Sequence, residues 1–153
     1  MPEPAENVLQ RPQVASQPAF DKHMTSLLQS YPKVHIMNLL GSKSDEELLT
    51  SSYLSHLNAA ATTNESIASN TSLTSFDFHA RTRIVGLEAM QDQLMQEPPV
   101  HDALSSFGYT LMTVDPQSQT QGHLITKQEG VFRTNCLDWS VYQCCKSMVL
   151  IVL

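Results

Sequence analysis

The stretch Val34-His-Ile-Met-Asn-Leu-Leu40, followed by the loop Gly41-Ser-Lys43, decides the predicted fold. Its apolar residues form a short, nearly continuous run, which is typical of a buried strand. Apolar residues at steps of three and four then predict a helix over residues 45–59. A buried strand, a short loop and an amphipathic helix in this order indicate an α/β protein.

Before this strand, the sequence predicts an extended lead-in and one helix. Residues 1–16 contain several prolines and show no helical periodicity, so we expect them to be extended. From Pro18 onward, apolar residues recur at helical spacing as far as Tyr31, and Pro32 provides a stop signal. The first helix is therefore expected to begin at Pro18.

After the second helix, residues 58–74 are rich in small and hydroxyl-bearing side chains, a composition that predicts a solvated, low-complexity loop. Ser75-Phe-Asp-Phe-His79 predicts a short strand. Two further helices are predicted over residues 85–95 and residues 100–106. We expect Gly108 to terminate the second of these helices.

The last predicted elements are three strands, over residues 109–114, 123–126 and 130–133. The last two flank Lys127-Gln-Glu-Gly130, which indicates a hairpin turn or tight loop between them. Strands and helices interleave along the whole chain. The sequence therefore predicts a layered α/β fold.

The chain of 153 residues has the length of one ordinary domain or of a piece of a larger one. Its net charge of −6 argues against a nucleic-acid partner that is bound through general basicity. It does not exclude an anionic lipid substrate, because one headgroup needs only a local cationic pocket.

Cys136, Cys144 and Cys145 show neither a disulfide framework nor the spacing of a zinc site, so we expect reduced thiols and no metal. The N-terminus lacks the pattern of a secretory signal. The apolar segment Met148–Leu153 is far shorter than the ~20 residues of a membrane span. We therefore expect a soluble, cytoplasmic protein without a transmembrane segment.

Arg133-Thr-Asn-Cys-Leu-Asp138 resembles the opening of the Sac-domain phosphoinositide phosphatase signature, Arg-x-Asn-Cys-x-Asp-Cys-Leu-Asp-Arg-Thr-Asn. Three earlier blocks also resemble this family, in its synaptojanin-like branch. They are Gln17-Pro-Ala-Phe-Asp-Lys-His23, Val34-His-Ile-Met-Asn-Leu-Leu-Gly-Ser-Lys43 and Phe76-Asp-Phe-His79. The order of the four blocks matches the family, so the resemblance covers most of the chain.

The resemblance implies part of a cysteine-phosphatase-like catalytic domain over residues 17–138. It implies that Cys136 is the nucleophile that forms a phosphocysteine, and that Asp138 assists on the same loop. Arg133 and Asn135 are then candidate substrate-binding residues. The implied substrate is a phosphoinositide headgroup at a membrane surface, so the protein would bind membranes peripherally, and no cofactor is needed.

The match stops after Asp138. Trp139 replaces the second cysteine of the signature, and Tyr142 replaces the arginine that would bind the phosphate oxygens. Residues 139–153 differ from the family throughout, and we expect a disordered tail that arose from a retained intron, a frameshift or a mispredicted gene end. We expect an inactive chain; the alternatives are a non-catalytic lipid- or partner-binding module and a truncated product that does not fold stably.

Three further features each allow two interpretations. Lys43 can hold a headgroup or lie solvated in its loop. His35 can be a catalytic base or a packed histidine of the buried strand. Arg81 and Arg83, close to His79, can face a phosphate or pair with surface acids.

Overall fold

The computed structural model of the chain describes residues 12–114 and 122–136. The predicted α/β class is confirmed. In chain order, the elements are α1 (Gln13–Ser30), β1 (Lys33–Asn38), α2 (Ser44–Thr63), α3 (Glu65–Asn70), β2 (Thr71–Ser75), α4 (Phe78–Val85), α5 (Leu87–Gln96), α6 (Pro98–Phe107), β3 (Leu111–Val114), β4 (Gly122–Thr126) and β5 (Gly130–Asn135).

Strand β1 lies at the centre of a three-stranded sheet, between β2 and β5, and both pairings are parallel. Residues 34–38 of β1 are all buried. The apolar run that predicted a buried strand is therefore confirmed, because a central strand that is covered on both faces needs apolar residues at consecutive positions.

Helices cover both faces of this sheet. Successive residues of β1 point to opposite faces, so Ile36 packs on one side and Met37 on the other. The first cluster lies under α4–α6 and consists of Met37, Leu39, Phe76, Phe78, Met90, Leu94 and Val100. The second cluster lies under α1–α3 and consists of Met24, Val34, Ile36, Ala60 and Ile67. The fold has three layers, with the sheet in the middle.

Of the two alternatives for the connection between the last two strands, the hairpin turn is wrong and the tight loop is confirmed. β4 pairs with β3 in a separate antiparallel ribbon, whereas β5 pairs with β1 in the parallel sheet. Val131 and Phe132 of β5 contact the second and first clusters respectively, so β5 buries both of its faces in the main sheet. An isolated two-stranded hairpin could not provide this burial.

The loop predicted over residues 58–74 is also wrong, because this stretch contains the end of α2, all of α3 and most of β2. Ala60 and Ile67 are buried in the second cluster, and their burial favours helix despite the many hydroxyl side chains. Asn64 separates the two helices and caps α3, with its Oδ1 accepting a hydrogen bond from Ser66 N at 3.0 Å.

Helix α1 begins at Gln13, before Pro18, so residues 13–16 are helical rather than extended, and residues 1–11 lie outside the described part of the chain. Contacts with α2 hold this early turn. Gln17 Nε2 donates to the carbonyl oxygen of His56 at 3.0 Å, and Ser16 Oγ lies 3.2 Å from His56 Nε2. These tertiary contacts stabilise the helix on the N-terminal side of the proline.

The predicted strand at residues 75–79 is wrong beyond Ser75, where β2 ends, and Phe78 begins α4. The predicted helix over residues 85–95 corresponds to α5, which Gly86 separates from α4 with a φ of 81°. α6 and its termination at Gly108 are confirmed. Within the described ranges, each helix is too short or too polar to span a bilayer.

Candidate active site

The three parallel strands end at the same edge of the sheet. Asn38 at the end of β1 lies in register with Ser75 on one side and Asn135 on the other. Phe76 N donates to the carbonyl oxygen of Asn38 at 2.8 Å, and Leu39 N donates to that of Asn135 at 3.0 Å. Ligands of open α/β sheets bind at this carboxyl edge, so it is the candidate site.

Cys136, the predicted nucleophile, directly follows β5 at this edge. Its side chain is partly buried and packs against the first hydrophobic cluster, on the side of α4–α6. Arg133 lies on the opposite side of β5, because it shares a face with Val131 of the second cluster. The structure therefore places Cys136 at the carboxyl edge of the sheet but separates its side chain from that of Arg133.

Arg133 stacks on an aromatic ring of helix α2, with its guanidinium carbon 4.8 Å from the centroid of Tyr53. Burial raises the pKa of Tyr53, and the positive charge of Arg133 partly offsets this rise. The pKa of His23 in α1 is lowered by burial and also by the charge of Arg133. The charge of Arg133 thus acts on residues of α1 and α2. The predicted role of Arg133 in substrate binding stays a prediction.

Asn135 and Asn38 form a polar pair at the end of the sheet, on the same side as α2. Asn38 is only 3% exposed, and its Nδ2 donates to Thr50 Oγ1 at 3.0 Å. Asn38 Oδ1 and Asn135 Nδ2 are buried without a hydrogen-bond partner among the described residues. Such atoms cost about 1–3 kcal/mol each when they remain unsatisfied, so this pair is suited to a polar contact at the edge.

Asp77 joins the loops that follow β1 and β2. Its Oδ2 accepts hydrogen bonds from Ser42 N at 3.1 Å and Ser42 Oγ at 2.8 Å, and its Oδ1 accepts one from Ala80 N at 2.9 Å. Burial alone would raise the pKa of Asp77, but these hydrogen bonds and the charge of His79 together lower it. The carboxylate therefore fixes the loop after β1 against the start of α4.

A small cavity of about 160 Å³, here called the edge cavity, opens between these two loops. Its lining is Gly41, Ser42, Lys43, Glu46, Asp77, His79, Ala80 and Arg83. In the sequence, Lys43 is a candidate to hold a headgroup, and Arg83, close to His79, is a candidate to face a phosphate. The parallel pairing of β1 with β2 brings these residues of two separate motifs together. Arg81 is not in the lining, because it lies over the ring of Phe76 at 5.1 Å.

Sequence reasoning missed Asp77. The local signal was an aspartate at a helix N-cap position, which the strand predicted over residues 75–79 concealed. Asp138, the other predicted catalytic residue, lies outside the described residues, as does the remainder of residues 137–153.

His35 lies in the middle of the sheet and away from the carboxyl edge. Its Nδ1 is 2.7 Å from Ser72 Oγ, and its Nε2 is 3.1 Å from Thr74 Oγ1. The ring is fully buried and lies edge-on against Phe132. These contacts favour the packed histidine over the catalytic base.

Comparison with known proteins places the chain in a family. The SacI homology domain matches residues 3–83, a range that begins within the predicted lead-in. The polyphosphatidylinositol phosphatase INP53 of Saccharomyces cerevisiae is 37% identical over 124 residues, which are 81% of this chain and 10% of that protein. Synaptojanin-1 of Rattus norvegicus is 34% identical over 125 residues, which are 81% of this chain and 7% of that protein.

A third relative, the inositol-1,4,5-trisphosphate 5-phosphatase 1 of Schizosaccharomyces pombe, is 34% identical over 124 residues, again 81% of this chain and 10% of that protein. The chain spans a tenth or less of the length of these relatives. No solved structure matches the chain significantly. The family match covers the three earlier sequence blocks, and the synaptojanin-like relatives agree with the predicted branch. The chain belongs to the SacI homology domain family.

Proposed function

We propose that this chain is part of the catalytic domain of a phosphoinositide phosphatase that works through a phosphocysteine in the intact protein. One observation carries the proposal: Cys136, within the stretch that resembles the family signature, directly follows a parallel strand at the carboxyl edge of the sheet. The substrate is a phosphorylated inositol headgroup at a membrane surface, which the protein approaches from the cytoplasm.

The reaction has two steps. The thiolate of Cys136 attacks phosphorus, a sulfur–phosphorus bond forms, and the bond to the inositol oxygen breaks as that oxygen gains a proton. Water then attacks the phosphocysteine, which releases inorganic phosphate and restores the thiol. Asp138 supplies or accepts the proton in this proposal. Because a free thiol has a pKa of about 8.5, the loop must lower it with inward-pointing backbone amides.

In this chain the phosphate-binding half of the loop is altered. An arginine at the position of Tyr142 would bind two phosphate oxygens at once, and tyrosine carries no such charge. The loss of one preorganised donor to a transition-state oxygen typically costs about 10²–10³ in rate. We therefore infer that the chain as it stands has little or no activity.

The test is phosphate release from phosphatidylinositol monophosphates and bisphosphates. The unaltered chain and its Cys136→Ala variant should release equally little phosphate. A variant in which residues 139–144 are replaced by Cys-Leu-Asp-Arg-Thr-Asn restores the family signature. This variant should release phosphate, and Cys136→Ala in the same background should abolish the release.

Two results would count against the proposal. Release by the unaltered chain that depends on Cys136 would show that Tyr142 does not inactivate the loop. Absence of release from the restored variant, with an unchanged melting curve, would show that the altered loop does not account for the inactivity.

The alternative function is a module that binds phosphoinositide headgroups without hydrolysing them. The edge cavity favours it, because Lys43 and Arg83 both line that cavity and neither belongs to the altered loop. Co-sedimentation with vesicles separates the two functions. Binding of the unaltered chain without phosphate release supports the module, and the absence of any binding rejects it.

A further inference from the structure

The edge cavity has the features of a binding site for an anion. It lies between the loops that follow two neighbouring parallel strands, β1 and β2, at the edge where α/β folds bind ligands. Two of its lining residues, Lys43 and Arg83, carry permanent positive charge at neutral pH. They share the cavity with the carboxylates of Glu46 and Asp77.

The two cations are available to a ligand. Lys43 and Arg83 are both exposed, and among the described residues neither forms a salt bridge. Arg81, two residues before Arg83 on the same helix, is engaged instead. It lies over the ring of Phe76 at 5.1 Å and donates to Gln93 Oε1 at 3.4 Å. Of the two arginines of α4, Arg81 is therefore held by contacts within the protein, whereas Arg83 is available to a ligand.

The two carboxylates of the cavity are committed to the backbone. Asp77 accepts from Ser42 and Ala80, and Glu46 Oε2 accepts from Gly41 N. These hydrogen bonds hold the acidic side chains in the wall and stabilise the shape of the loop. Within the described ranges the side chains of Lys43 and Arg83 form no such bond, and these long side chains can turn toward an incoming anion.

The size of the cavity selects the kind of anion. Sites for small molecules usually have volumes of about 300–1,000 Å³. At about 160 Å³ the edge cavity is too small for a whole inositol headgroup but suits one phosphate group. We propose that the edge cavity binds a phosphate monoester, with Lys43 and Arg83 as its ligands, separately from the phosphate that would react at Cys136.

In the lipid, this group would be a second phosphate of a polyphosphorylated inositol, an assignment that rests on the proposed function. The binding of a phosphate group does not rest on it. The site would hold the headgroup at the edge of the sheet, and it persists in a chain whose catalytic loop is altered. It therefore adds a binding role that is independent of turnover.

The first experiment measures binding by isothermal titration of the full chain with inorganic phosphate and with inositol 1,4,5-trisphosphate. Arg83→Gln and Lys43→Gln should each weaken both affinities about tenfold, the usual effect of losing one hydrogen bond to a charged group. The matched controls, Arg81→Gln and Lys22→Gln, remove the same charges outside the cavity and should leave both affinities unchanged. Melting curves of all four variants exclude unfolding as the cause.

Equal weakening by Arg83→Gln and Arg81→Gln would overturn the site, because it would indicate a response to net charge alone. The absence of saturable binding of either ligand would also overturn it. The titration measures binding and requires no turnover at Cys136. A failure of the phosphate-release test thus leaves this result intact, and the two proposals fail separately.

A second experiment identifies the source of the phosphate. Co-sedimentation compares vesicles of phosphatidylcholine alone with vesicles that also contain phosphatidylinositol 4,5-bisphosphate. Binding to the second kind that is lost in Arg83→Gln but kept in Arg81→Gln supports the lipid headgroup. The headgroup assignment would be overturned if the chain binds phosphate in solution but Arg83→Gln leaves its binding to the vesicles unchanged.

Discussion

His35 is buried between two hydroxyl groups, and both of its ring nitrogens lie within hydrogen-bonding distance of them. The ring is fully buried, and this burial lowers the pKa of His35 below its ordinary value of 6.5. Protonation would place a positive charge between Ser72 and the ring of Phe132, and no carboxylate among the described residues balances it. The fold therefore holds the neutral imidazole.

We predict that stability falls as the pH is lowered through the range of this histidine. Below about pH 6.5 the unfolded chain binds a proton at His35, whereas the folded chain binds it only at lower pH. The unfolded state then holds more protons, so the free energy of unfolding decreases with decreasing pH. Urea unfolding between about pH 7.5 and 5 should show this slope.

The variant His35→Gln removes this titration and should flatten the slope. Part of the slope should remain, because the pKa of His23 is also lowered on folding. His101→Gln, at a surface histidine whose side chain is 69% exposed, is the control. A slope that His35→Gln leaves unchanged would show that another group is responsible.

Arg133 and Tyr53 provide a second prediction at this scale. A cation over an aromatic ring contributes about 0.5–1 kcal/mol at exposed sites and about 2 kcal/mol when it is desolvated. Because Tyr53 is partly buried, a double-mutant cycle with Arg133→Gln and Tyr53→Leu should give a coupling energy of about 1 kcal/mol. Chemical denaturation of the four proteins measures it, and additive effects would disprove the interaction.

Individual site residues differ in how far the sequence could identify them. Cys136 belongs to a motif of adjacent residues, so a local pattern alone made it a candidate. Lys43 and Arg83 are forty positions apart, and they meet only because β1 and β2 pair in parallel. No local spacing encodes that pairing. Asp77 is intermediate, since its capping role is local but its bonds to Ser42 are tertiary.

At the scale of the elements, burial determines the secondary structure of the stretches where local composition is misleading. Residues 58–74 have the composition of a loop, yet Ala60 and Ile67 are almost fully buried under the sheet. The strand Gly130–Asn135 follows a local turn signal, yet its partner is β1 from the start of the chain. In both stretches the deciding contacts are long-range, which a periodicity search cannot detect.

Gly130 begins β5 at a point of close approach between elements. A methyl group on this residue would overlap the ring of Phe107 in α6. The main chain is fixed there, because Glu129 N donates to the carbonyl oxygen of Phe107 at 2.7 Å. We predict that Gly130→Ala lowers the free energy of unfolding by about 1–3 kcal/mol, the usual cost of overpacking.

Thermal and urea unfolding measure this loss. A second substitution, Phe107→Leu, reduces the bulk facing the added methyl group. In the Gly130→Ala background it should therefore cost less stability than it does in the unaltered chain. If both backgrounds lose the same amount, steric overlap with Phe107 is not the cause.

At the scale of the whole molecule, the two hydrophobic clusters share the central strand. Ile36 belongs to the cluster under α1–α3, and Met37, the next residue, belongs to the cluster under α4–α6. Loss of packing in one layer therefore disturbs the strand on which the other layer rests. The two layers should unfold as one cooperative unit.

We predict that Ile36→Ala and Met90→Ala, on opposite faces, each lower the stability of a single transition by about 2–5 kcal/mol. Ile84→Ala is the control, because its side chain is 79% exposed. Circular dichroism in the far and near ultraviolet monitors unfolding in urea. Two separated unfolding transitions would show that the layers are independent. So would a decrease in stability that only one of the two wavelength ranges detects.

The parallel pairing of β1 with β5 has a consequence for the making of the protein. Nearly a hundred residues separate Lys33 from its register partner Gly130. At a synthesis rate of about 5–20 residues per second, β1 leaves the ribosome roughly 5–20 s before β5 exists. During that interval one edge of β1, a strand that is buried in the folded protein, has no neighbour to cover it and can pair with another nascent chain. Until β5 has been translated, this edge of β1 is therefore open to association with other chains.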